Sequence, residues 1–87
     1  MLFRSVSESS LRLDREHKGS LYARAGIEDY WILNLVDRVL EVYRQPIPDT
    51  TAPFNWRYAA TEVIDAQSSV TPLVTPGARI PVGALLP

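Results

Sequence analysis

Cysteine is absent from this chain of 87 residues, which excludes disulfides and thiolate metal sites and is compatible with a reducing compartment. Long apolar runs are missing too. The opening MLFRSVSESS has neither a sustained hydrophobic stretch nor a cleavage-type end, so it reads as neither a signal peptide nor a membrane span, and the cytoplasm is the expected location. No charge sign predominates. A net charge of −1 argues against a protein that coats nucleic acid non-specifically. Internal repeats and low-complexity segments are lacking, and there is a single lysine, Lys18, and a single histidine, His17.

What remains is an ordinary globular composition, 46% hydrophobic and 22% charged, which predicts a folded chain. A domain this small buries roughly 60–65% of its surface, so its stability margin is narrow. The charge is unevenly spread. Residues 1–26 carry five basic side chains (Arg4, Arg12, Arg15, Lys18, Arg24) against three acids (Glu8, Asp14, Glu16), a net +2, and the remainder carries four against seven, a net −3. Any phosphate contact therefore belongs to the first third.

The stretch from Ser9 to Leu33 organises the rest. Residues 2–6, LFRSV, read as a strand end, and Ser7, Ser9 and Ser10 mark a turn and helix-cap candidates. A helix follows from Leu11 or Asp14 to Ala25, stopped by Gly26 in the left-handed conformation. On it Asp14, Lys18, Leu21, Tyr22 and Ala25 are spaced by three and four, which predicts one shared face. DYWILN, residues 29–34, and RVLEVYR, residues 38–44, predict a β-hairpin. The prolines of residues 45–53 predict an irregular loop, Arg57–Ile64 a third antiparallel strand, and Val82–Leu86 a closing turn or short helix.

SSLRLDREHKGSLYARAGIEDYWILNLVDRVLEVYR resembles the second half of the Uma-type restriction endonucleases, a branch of the PD-(D/E)XK nuclease superfamily, and PGARIPVGALLP is similar to that family's usual end. Residues 45–70 match least. The resemblance implies an α+β fold, a partial restriction-endonuclease-like core with one main helix packed on a mostly antiparallel sheet. Residues 1–87 would be a truncated domain, the second half of the family's, with an open sheet edge and an uncovered apolar helix face.

It also implies a metal-dependent DNA phosphodiester hydrolase. In such nucleases two carboxylates hold Mg²⁺, which lowers the pKa of a bound water, and a lysine orients that water or stabilises the transition state. Lys18 matches the catalytic lysine, and Asp14 an acidic position one turn earlier. The first metal carboxylate would lie upstream of the residues present, and the second aligns with Ser5, which supplies no anionic ligand. Glu8 is acidic but falls on the turn, with the other strand parity from position 5. The expectation is therefore Mg²⁺ implied by the family but not bound by this chain, and activity close to none.

Plainer readings stand beside these. Asp14 and Lys18 also make an ordinary i,i+4 helix pair, contributing roughly 0.2–0.5 kcal/mol. His17, with no partner in spacing, reads as a surface residue. Tyr22, Tyr30 and Trp31 would stack on bases or, more plainly, pack in the core between helix and hairpin. Phe54 and Trp56 form a lid or an exposed contact. Asp37, Glu41, Asp49 and Asp65 read as solvated charges. The alternatives to a nuclease are a non-catalytic module that pairs its open edge with itself as a homodimer or with a full-length relative, and a DNA-binding remnant using Arg12, Arg15, Lys18 and Arg24. No membrane partner is expected.

Overall fold

A computed structural model describes residues 1–6 and 11–87. The serine turn, with its cap candidates Ser7, Ser9 and Ser10 and with Glu8, lies outside the described residues. Among the described residues the chain forms an α+β layer structure, with one main helix on a mostly antiparallel four-stranded sheet ordered β1-β2-β3-β4. β1 (Leu2–Val6) runs parallel to β2 (Asp29–Asn34); β3 (Val39–Pro48) and β4 (Trp56–Ile64) continue antiparallel. The helix crosses over between β1 and β2, as a parallel pair requires.

β2 is one of the two inner strands and is buried along its whole length. Its two faces serve different layers because side chains alternate. Tyr30 and Ile32 pack with Val6, Leu11, Ala23 and Tyr58 on the helix side; Trp31 and Leu33 pack with Leu40, Val42, Ile64, Val70 and Val82 on the other. That second layer is the C-terminal tail, which closes with the short pair β5 (Ser69–Val70) and β6 (Ile80–Pro81) and a 3₁₀ turn, Val82–Ala84. Gly83 sits so close to the Ala66 carbonyl, which accepts its N–H at 3.1 Å, that a Cβ there would stand 2.9 Å from that oxygen. Trp31 therefore joins the sheet to the tail, not the helix to the hairpin, while Tyr30 takes the predicted core role beneath the helix.

The helix departs from its predicted face. Leu13–Lys18 is wound as a π-helix and Gly19–Arg24, α1, as an α-helix. In the π segment the Asp14 carbonyl accepts the Gly19 N–H, one residue further on than an α-helix allows, and the Tyr30 hydroxyl donates to the same oxygen at 3.1 Å. The extra residue in the turn rotates everything after it by one position. The inward residues become Asp14, Gly19, Ser20 and Ala23, while Leu21 turns out to solvent. The end is as expected: Gly26 has φ 79°, and the Ile27 and Gly26 N–H groups donate back to the Tyr22 and Ala23 carbonyls in a Schellman closure.

The loop predicted for residues 45–53 is half strand. β3 continues through Pro46 to Pro48, still in register with Tyr58 and Trp56. Beyond Arg44, whose partner is Asp29 at the start of β2, β3 is flanked by β4 alone, and prolines are tolerated in such edge positions. The turn between β2 and β3 is held by Asn34, whose side-chain oxygen accepts the Val36 and Asp37 N–H groups, both at 3.0 Å.

Candidate functional site

Strand register puts a row of three residues under the helix: Arg4 on β1 is opposite Ile32 on β2, which is opposite Glu41 on β3. Two consecutive helix residues reach its two ends. Asp14 meets Arg4, and Arg15 meets Glu41. The complementary charges fix how the helix lies across the sheet.

At the β1 end, Asp14 is fully buried, and the Lys18 ammonium lies 3.4 Å and an Arg4 guanidinium nitrogen 3.8 Å from the same oxygen, Oδ1. Among the described residues neither carboxylate oxygen has a hydrogen-bond partner. A buried carboxylate is expensive unless it is both neutralised and satisfied by donors, and here only the first condition is met. Lys18 and Arg4 remain about a third exposed, so two cations line the rim of a buried acid.

At the β3 end the acid is fully served. Glu41, 2% exposed, accepts Arg15 Nε at 2.8 Å, a second bond from the same guanidinium, the Tyr43 hydroxyl at 2.6 Å and Asn34 Nδ2 at 3.1 Å. Burial pushes the Glu41 pKa up, but the bonds from Arg15, Tyr43 and Asn34 outweigh it and hold the carboxyl below its ordinary value. The carboxylate in turn raises the Arg15 pKa; Tyr43 is raised first by burial, then by its bond to Glu41. Glu41, expected as a solvated charge, is a buried structural acid. Nothing in the spacing marks it, since only the helix laid across β3 removes it from water.

On the opposite face Asp29 plays the same part for the tail. It accepts Trp31 Nε1 at 2.6 Å, Arg44 Nε at 2.9 Å and the Leu73 N–H at 3.0 Å, and Arg44 also donates to the Thr71 carbonyl at 2.6 Å. Burial raises its pKa, but the Arg44, Leu73 and Trp31 bonds bring it below the ordinary value. Both acids therefore bind protons more readily in the unfolded chain than in the folded one. Stability should be level at neutral pH and fall as pH drops below the ordinary carboxyl values of 4.5 for Glu41 and 3.8 for Asp29. An acid titration followed by circular dichroism checks this, and a midpoint near pH 6 would contradict it.

The predicted site residues are thus brought together: Lys18 and Asp14 are in contact. Ser5 is not with them. It is opposite Leu33, exposed, on the tail side of the sheet, and the β1 residue that reaches the pair is Arg4. Strand alternation carries that signal in the sequence, since Leu2 and Val6 share Arg4's parity and mark the inward face. His17 is exposed, as expected, with its ring edge-on to Phe54 at 4.8 Å. A cleft of about 270 Å³ between the helix and β4 is lined by Arg15, Ser20, Tyr43, Trp56 and Arg57 among others, but not by Lys18 or Asp14.

An α+β layer pair that sets a lysine and an acid of one helix against the parallel strand of a mixed sheet is consistent with a restriction-endonuclease-like fold. The family model Uma2, described as putative restriction endonuclease, matches residues 5–83, and the chain belongs to that family. No curated protein matches the chain, and no solved structure does. The family suggests a nuclease-type function with DNA as the substrate class. No helix among the described residues is long and apolar enough to cross a membrane.

Nucleases commonly use metal ions, and the described residues do not fit one. No group of three or more His, Asp or Glu side chains that could hold an ion occurs among them. Mg²⁺ requires several hard oxygen ligands in near-octahedral array. Asp14 offers one carboxylate, already faced by two cations, so that Arg4, Asp14 and Lys18 together carry a net positive charge that repels a second cation.

Proposed function

We propose that this member of a DNA endonuclease family does not itself carry out metal-dependent phosphodiester hydrolysis. The observation that carries this is the pairing of Asp14: among the described residues, the acid beside the lysine is balanced by side-chain cations rather than joined by further acids. Lys18 then acts as the counter-charge of Asp14, and its exposed part, with that of Arg4, presents positive charge to solvent. That charge suits a phosphodiester backbone, so DNA would be contacted without being cut.

The test is a supercoiled-plasmid nicking assay with the purified chain in Mg²⁺ or Mn²⁺. Conversion should equal that of a control without protein, and Lys18→Ala should be indistinguishable from the unmodified chain. Cleavage that depends on the metal and disappears in a folded Lys18→Ala variant would overturn the proposal.

A further inference from the structure

The Asp14 carboxylate combines two properties that rarely occur together. It is fully buried, and neither oxygen accepts a hydrogen bond from a described residue, while two cations converge on Oδ1 from 3.4 and 3.8 Å. The contacts are Coulombic rather than bonded: the Arg4 nitrogen stands beyond hydrogen-bond reach, and the Lys18 ammonium, though nearer, makes no hydrogen bond to the carboxylate. The contrast with Glu41 is internal to the site: there the guanidinium of Arg15 closes on the carboxylate with two bonds, whereas that of Arg4 only stands over it. The backbone of residue 4 is nevertheless held in place by its pairing with Ile32 in the most buried strand of the sheet.

We infer that Arg4 occupies the place of a divalent cation at Asp14 and is the residue that keeps one out. The proposal rests on the reading that the described residues do not fit Mg²⁺, and it assigns the cause to a single side chain. With arginine at position 4, residues 4, 14 and 18 together carry a net charge of +1; with glutamate they would carry −1, with two carboxylates on the same side of the sheet. Glutamate is also shorter. Its oxygens would end further from Asp14 than the guanidinium does, leaving room for an ion with oxygens at about 2.0–2.1 Å, and the Asp14 oxygens that now lack donors would have a ligand to hold. Lys18 remains at the rim in either case.

The experiment is titration of the purified chain with MnCl₂ and with MgCl₂, read by calorimetry and by the melting temperature. The unmodified chain should show no saturable binding and no metal-dependent rise in Tm. Arg4→Glu should bind one ion per chain at least tenfold more tightly, with a Tm that rises with metal, and adding Asp14→Asn should abolish both effects. Should Arg4→Glu fail to fold without metal, Arg4→Gln removes the cation without adding an acid and is read in the same way, with a metal-dependent rise in Tm expected. Folded Arg4→Glu and Arg4→Gln variants that bind no better than the unmodified chain would overturn the inference, as would an unmodified chain that already binds as tightly as Arg4→Glu. These results are separable from the nicking assay: variants that gain no metal remove the role of Arg4 and leave the absence of cleavage standing, whereas metal-dependent cleavage by the unmodified chain removes both.

Discussion

Trp31→Ala is expected to lower the stability of the chain by about 3–5 kcal/mol, the range for removing a large buried aromatic side chain. Trp31 is 1% exposed at the centre of the layer formed by Leu33, Leu40, Val42, Ile64, Val70 and Val82, with Phe3 edge-on at 6.5 Å. Its indole N–H also supplies one of the bonds that hold Asp29 ionised while buried. For a domain of this size the whole stability is on the order of 4–13 kcal/mol, so the substitution removes a large share of it. Urea unfolding followed by circular dichroism measures the change. A loss below about 1 kcal/mol would mean that the C-terminal tail does not pack on the sheet.

Arg15→Ala should cost about 2–3 kcal/mol at neutral pH. Removing one partner of a buried pair typically costs about 3–5 kcal/mol because the other charge is left uncompensated. Two facts reduce that figure here: the Arg15 side chain is 41% exposed, so water already screens part of the attraction, and Glu41 keeps its bonds from Tyr43 and Asn34. The pH dependence distinguishes this cause from simple loss of packing. Without Arg15 the leading contribution that lowers the Glu41 pKa is lost and the pKa rises toward the side favoured by burial, so the variant should recover relative to the unmodified chain as pH falls and the carboxyl protonates. Adding Glu41→Gln to Arg15→Ala should restore part of the loss at neutral pH. A deficit independent of pH would show that Glu41 is not the group left uncompensated.

These two substitutions also mark how far the sequence could be read. The β-hairpin, the strand expected at residues 57–64 and the helix stop at Gly26 were legible because each is a local matter, a run of β-favouring residues or a residue suited to positive φ. The order of Asp14, Lys18 and the LYARAGIEDYWI segment was enough to indicate the family that residues 5–83 match. The inward face of the helix was not legible. It depends on a π turn whose carbonyl is shared between Gly19 and Tyr30, a residue on another element. Nor was the continuation of β3 through two prolines, which depends on β2 beginning only at Asp29, opposite Arg44.

By itself, then, the sequence determined the positions of the helix and the four main strands, the family and the presence of an acid and a lysine four residues apart on one helix, since spacing along one helix is a property of the chain alone. The tertiary structure decided what surrounds them. That Arg4 rather than Ser5 faces Asp14, that Arg15 closes on Glu41, and that Asp29 and Trp31 clamp the tail all follow from strand register and from the angle at which the helix crosses the sheet. Those are relations between segments distant along the chain. They set charge and burial, and hence chemistry, only once packing has removed the water between them.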